Sequence, residues 1–364
     1  MFVLVAVMAV VVGLMCVLTN YGTRANWARV ASYVITTLQA VQVGLWGLVL
    51  LVSYAVLPTS LIGSGRLVGL LCAVLLLLDP VAVVALFDPR FRKRVARILP
   101  IDPDNPVHTV ALGLSLTVAV TVVATQFLTA SLPSSLNLGL GSLKYSRADV
   151  VSSELLFLVI GFLGVGLFVR RTPRETMARL GLVKPTWWQP VLALGLAGLL
   201  FWISDGLDRL GRLLTPELSR HLESVNQALF SQLTDPVSAL LVGVAAGVGE
   251  EVLFRGALQP RLGIVFTTII FGAMHVNYAL SFSLLSVLLI GVALALLRKY
   301  TNTTTSIITH SAVDIIGLGL AATAAYVLTG ALVVAAVLLL GVALLWSQRA
   351  EKRREEIPSP LRGG

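Results

Sequence analysis

Six ionisable residues stand inside apolar stretches of this 364-residue chain: Glu250, Glu251 and Arg255 in GVGEEVLFRGAL, His275 in FGAMH, and His310 with Asp314 in HSAVD. Residue types of this kind allow water activation. A carboxylate beside a histidine is a general base for water, and a second histidine with a polar neighbour stabilises the oxyanion that forms at a carbonyl. Equally, Glu250, His275 and His310 can hold a divalent metal such as zinc, which lowers the pKa of a bound water. There is no HExxH stretch, so the usual zincin helix is absent. Spacing alone leaves both routes open, and no cofactor is certain.

Spacing does divide the labour within the set. Glu251 and Arg255 are four apart and share a helix face, as do His310 and Asp314, whereas Glu250 points about 100° away from Glu251. One carboxylate is thus free for chemistry while the other pairs with the arginine. Each Asp, Lys or Arg at a membrane helix centre costs roughly 2.5–3.5 kcal/mol on insertion scales, so keeping several needs a reason. Interhelical glue is a sufficient reason for Glu251 with Arg255. Glu250, His275 and His310, on three separate stretches, fit a functional site better.

Other polar groups carry weaker signals. Asp79 precedes Pro80 and suits a cap after a proline kink. Glu154, Asp205 and Asp208 lie near the ends of apolar runs and reach the interface. Asn277 and Tyr278 mark a helix exit or line the same cavity as His275. Gly243, Gly247 and Gly256 suit close helix approach.

The elements that must hold these groups are membrane helices. At 57% hydrophobic and 12% charged, with a mean hydropathy of +0.90, the chain departs far from the composition of soluble domains. Lipid offers no partner to backbone N–H and C=O, and the long apolar runs select helices over a barrel. The fold class is therefore all-α, a polytopic transmembrane bundle. Eleven spans are expected near 2–19, 34–57, 67–87, 107–128, 149–169, 189–206, 236–258, 262–280, 282–297, 303–322 and 325–346. The first has no basic residue before it and no small-residue cleavage pattern after it, and reads as a span, not a cleaved leader.

With an outside N-terminus, 20 of the 27 Lys and Arg fall in one set of alternate loops plus the C-terminal tail, and 6 in the other. That asymmetry predicts N-out, C-in, and makes the net charge of +9 a topological signal, not a nucleic-acid footprint. On this scheme 170–189 is a basic cytoplasmic stretch, 207–235 an external amphipathic segment, and 347–364 a charged cytoplasmic tail, disordered at its Pro/Gly end. By helical rise, Glu250, Glu251 and His310 lie roughly 10–12 Å from the cytoplasmic ends of their spans and His275 roughly 20 Å. Cys16 and Cys72 both sit in apolar runs, which supports neither a disulfide framework nor a cysteine metal site.

Taken together, Glu250-Glu251-x3-Arg255, Phe271-x3-His275 and His310-x3-Asp314 resemble the EExxxR, FxxxH and HxxxN/D motifs of the CPBP intramembrane protease family. That family includes type II CAAX prenyl endopeptidases and the bacterial abortive-infection (ABI) and bacteriocin-processing relatives. The resemblance covers about 237–320 and implies a catalytic helical core over 149–346, preceded by motif-free helices over 1–148. It implies that Glu250 and His275 activate water, that His310 and Asp314 stabilise the oxyanion, and that Glu251 and Arg255 support them. Family members are described both as metalloproteases and as glutamate-dependent enzymes. An Asp stands where CAAX-processing members typically have Asn; an ionised Asp only accepts hydrogen bonds, so Asp314 fits better as an orienter of His310 or a metal ligand. The implied protein is a hydrolase of membrane-associated or lipidated peptides, in the plasma membrane of a bacterium with its site towards the cytoplasm. The alternatives are a non-catalytic scaffold or immunity protein of the same fold and an ion-coupled transporter, the last weakened by the lack of internal repeats.

Overall fold

Polar residues at the ends of the apolar runs set the helix boundaries. Asp235 accepts from the backbone N–H groups of Val237 and Ser238, both at 3.1 Å, and Pro236 occupies the first helical position. Capping boxes pair Ser146 with Asp149 and Thr172 with Glu175. Gly181, at φ 73°, ends the latter helix in the left-handed conformation that glycine adopts without strain. The computed structural model describes residues 2–58, 65–131, 144–319 and 322–355.

Within these residues lie α1 (Phe2–Tyr21), α2 (Asn26–Val56), α3 (Arg66–Ala85), the short α4 (Pro89–Val95), α5 (Pro106–Ser131), α6 (Arg147–Gly164) and the short α7 (Pro173–Leu180). They continue with α8 (Trp188–Leu214), α9 (Pro216–Leu229), α10 (Pro236–Glu251), a π turn (Val252–Leu258) and α11 (Gln259–Met274). Last come α12 (Phe282–Tyr300), α13 (Thr303–Gly319) and α14 (Ala322–Glu355). The protein is an all-α polytopic helical bundle. Each of the eleven expected segments is helical, and seven helices are long and apolar enough by themselves to cross a membrane. One of those seven, Pro236–Met274, contains two antiparallel arms, because Gly263 (φ 78°, ψ 169°) breaks it and brings Phe271 back against Phe254. Large apolar side chains such as Trp46 (62% exposed) and Val337 (65%) face outward, as lipid-facing positions do.

Three expectations are corrected. Helix α3 runs through Pro80 without a break, and Asp79 caps nothing: its buried Oδ2 accepts from Thr117 Oγ1 of α5 at 2.9 Å. The stretch 207–235 is divided: its first part is the end of α8, which carries on to Leu214, and α9 alone forms a separate amphipathic helix. Residues 347–355 continue α14 as helix, while the Pro/Gly end at 356–364 lies outside the described residues.

Alternate loops meet at opposite ends of the bundle. At one end Arg170 donates to Asn20 (2.7 Å), and Thr303 N–H donates to the Gly181 carbonyl (3.0 Å). At the other, Arg147 meets Asp235 (2.7 Å), Asn277 donates to Asn226 (2.6 Å) and Ser283 to Asp208 (2.7 Å). Helices therefore alternate in direction between these two ends.

Glycines decide which helices touch. A Cβ at Gly243 would stand 3.0 Å from Ile315 N and Ser311 O, and one at Gly247 would stand 2.9 Å from Ser311 N, so α10 and α13 are in backbone contact there. We expect Gly247→Ala to force α13 away and lower stability by about 1–3 kcal/mol, the usual cost of overpacking. Gly206→Ala, with nothing within 4 Å, should leave the thermal midpoint in detergent unchanged or slightly raised.

Candidate active site

Helix α10 delivers its two carboxylates at its last turn, and the π turn follows at once. There the Gln259 N–H reaches back five residues to the Phe254 carbonyl, a wider turn of the kind found often at functional sites. Arg255 sits within it, 1% exposed, its guanidinium 3.3 Å from Glu251 Oε1 and 4.2 Å from the centroid of the Phe271 ring. A further hydrogen bond, Arg255 Nη2 to the Gly291 carbonyl (3.3 Å), fixes it to α12. Arg255 is the largest fully buried side chain and Glu251 is itself 0% exposed. Such a pair is tolerable in a low-dielectric interior only because each charge has the other.

His310 joins this pair from α13. Its Nδ1 lies 3.0 Å from Glu251 Oε1, and since an ionised carboxylate only accepts, Nδ1–H is the donor. That contact orients the ring and turns Nε2 towards Asp314 Oδ2 (3.6 Å) and Glu250 Oε2 (3.9 Å). Glu250 Oε2 is buried and makes no hydrogen bond with the protein. Separations of this size suit one water touching two groups better than a direct bond. The arrangement thus sets an unbonded carboxylate oxygen of Glu250 near a histidine ring whose Nδ1 is tied.

His275 is reached through an aromatic ring. Phe271 lies between the histidines, its centroid 4.9 Å from that of His275 and 6.0 Å from that of His310. Helix α11 ends at Met274, so His275 is its C-cap residue and not an interior one as the span limits implied. The ring folds back so that Nδ1–H donates to the Phe271 carbonyl at 2.8 Å, which leaves Nε2 as the acceptor of the neutral ring. Tyr278, in the 3₁₀ turn Val276–Tyr278, stacks on His275 at 6.2 Å and 14°. The structure therefore brings Glu250, Glu251, Arg255, His310 and Asp314 into one cluster, with His275 attached through Phe271.

A fourth carboxyl group belongs to the cluster. Glu154 of α6, read from sequence as an interface residue, is 8% exposed, has an unpartnered buried Oε2, and lies within electrostatic reach of Glu250, His310 and Asp314. Gly249 admits it: a Cβ there would stand 2.9 Å from both the Glu154 Cβ and its carbonyl oxygen. The signal available in sequence was that glycine, one residue before the motif. Four carboxyl groups now face one guanidinium, so the charge balance depends on protons carried by the histidines and carboxyls.

A metal would need several donors converging on one point. Among the described residues no group of three or more His, Cys, Asp or Glu is arranged to hold a metal ion. The residues as placed do not fit a metal centre.

Comparison with known families places the cluster in context. Residues 232–316 match the family described as Rce1-like, type II CAAX prenyl endopeptidase, within the CPBP group that the three motifs resemble. The matched segment contains Glu250 to Asp314 but neither Glu154 nor the first six helices. No curated protein and no solved structure matches the chain.

Burial separates the two adjacent glutamates experimentally. Glu251→Ala strands the Arg255 charge and should lower unfolding stability by about 3–5 kcal/mol. Glu250→Gln, which breaks no close pair, should leave the denaturation midpoint within about 0.5 kcal/mol of the parent. Equal destabilisation by both would contradict the division.

Proposed function

We propose that the protein is an intramembrane endopeptidase that hydrolyses a peptide bond of a membrane-associated or lipidated substrate with Glu250 as general base. The observation that carries this reading is the unpartnered Glu250 Oε2, 3.9 Å from a His310 Nε2 whose ring is oriented by Glu251. The Rce1-like match supports peptidase chemistry. A water held between Glu250 and the free Nε2 of His275 gives its proton to Glu250 as its oxygen attacks the carbonyl carbon. His310, protonated on both ring nitrogens, keeps Nδ1–H on Glu251 and donates Nε2–H to the oxyanion, and Asp314, on the same helix face, holds that ring in place. Glu250 returns the proton to the amide nitrogen as the C–N bond breaks, leaving a carboxyl and an amine terminus. Glu251 and Arg255 position His310 without touching substrate.

No step is routed through a metal. The loop charges support a site in the cytoplasmic half of the membrane, and the resemblance to bacterial relatives supports a bacterial plasma membrane. A second reading, a non-catalytic scaffold, is favoured by the full burial of the Glu251–Arg255 pair, because such pairs also hold helices together.

One experiment separates the two. In proteoliposomes with a membrane-anchored peptide library, Glu250→Gln should lower cleavage by about 10²–10⁴-fold, the usual share of a general base, while remaining folded. A chelator should leave the parent rate unchanged. Undiminished cleavage by Glu250→Gln sinks the peptidase reading, and loss of activity on chelation that zinc restores sinks the metal-free one.

A further inference from the structure

Behind the Phe254–Phe271 ring pair lies a separate cavity. It has a volume of about 460 Å³ and is walled by α1, α5, α6, the π turn and α11, a size typical of small-molecule sites. Its body is apolar, with Val12, Leu114, Val118, Leu156 and Ile270 among its walls. From Val107 to Val118 along α5 it extends roughly 16 Å at 1.5 Å per residue. Phe254 lines it and meets Phe271 edge to face at 5.4 Å, and Phe271 in turn packs against His275 and His310. None of Glu250, Glu251, His275, His310 and Asp314 lines the cavity.

One end of the cavity is strongly basic. Arg170, Arg171, Arg179 and Arg261 line it, and none of them is in an ion pair among the described residues. Arg170 donates to Asn20, Arg171 to the Val165 carbonyl, and Arg179 to the Gly256 carbonyl (2.9 Å), all neutral acceptors. Arg261 Nε is buried without a partner. The acidic groups nearby are engaged elsewhere: Asp102 accepts from Asp104 N–H (3.0 Å), and Glu175 closes the Thr172 capping box. Burial, together with Arg261 and Arg171, pushes Arg179 down to about 10, as expected of crowded guanidiniums lacking a counter-anion.

We infer that this cavity binds one phospholipid of net negative charge, one of its hydrocarbon chains in the apolar body and its phosphate among Arg170, Arg171, Arg179 and Arg261. Charge complementarity selects the head, because planar guanidinium forks match phosphate oxygens. The aromatic wall and the distance from the carboxylates make it a site apart from the proposed peptide-cleaving centre.

The test uses the full-length protein in mild detergent, equilibrated with phosphatidylglycerol or with phosphatidylcholine of the same chains and read by native mass spectrometry. One phosphatidylglycerol per chain should remain bound, with phosphatidylcholine held at least about tenfold more weakly, because its choline cation adds a positive charge beside the four guanidiniums. Arg261→Gln should weaken the anionic lipid about tenfold and Arg261→Lys by less, since lysine keeps the charge but loses the fork. Ala111→Phe, which fills the apolar body, should expel both lipids in low and high salt. Equal retention of the two lipids, no loss in both Arg261→Gln and Ala111→Phe, or displacement by inorganic phosphate alone would overturn the inference. Repeating the measurement in Glu250→Gln makes the outcome independent of cleavage.

Discussion

A guanidinium with no access to water governs the middle of this bundle. Once Arg255 is buried, a carboxylate must stand against it, and Glu251 supplies that charge at 3.3 Å. Glu251 then has a second oxygen-centred duty, holding His310 Nδ1 at 3.0 Å, which requires α13 to approach α10 closely. Gly243 and Gly247 permit that approach by presenting bare backbone to Ser311 and Ile315. The ion pair, the small residues and the orientation of the imidazole are one solution to one electrostatic problem. Glu250, next in sequence and on another face, is left outside it.

Aromatic rings partition the polar interior. Phe271 takes the Arg255 charge on its face at 4.2 Å and separates the two histidines. Phe254, packed on its edge, divides the carboxylate cluster from the arginine-lined cavity. Acidic and basic groups, which would neutralise one another if they met, are kept in different compartments only a few residues apart along the same turn of chain.

The all-α architecture and its eleven helical segments were legible because lipid admits so few backbone solutions that apolar run length nearly dictates them. Glu250, Glu251, Arg255, His310 and Asp314 stood out for the same reason, as charges where hydrocarbon was expected. What sequence hid depends on tertiary placement. Glu154 looked like a residue near a span end, because nothing local says that Gly249 of another helix opens a slot for it. Position His275 counted as interior because the apolar pattern runs on past Met274, whereas the backbone turns at that histidine and hooks its ring to Phe271 O. The cavity arginines were read only as topological signals, since 170, 171 and 179 belong to one connection and 261 to another, and only folding brings the two together.

Gly263 makes the connection between α10 and α11 with hardly any polar chain. The break falls just after Gln259, Pro260 and Arg261, and Gln259 is already bonded to the Ala295 carbonyl at 2.8 Å. Two arms joined so tightly form one hairpin, with hardly any polar chain between them to be held at a membrane surface. Within that hairpin the Arg255 charge has Glu251 four residues away and Phe271 folded over it, so its compensation is local and waits on no distant helix.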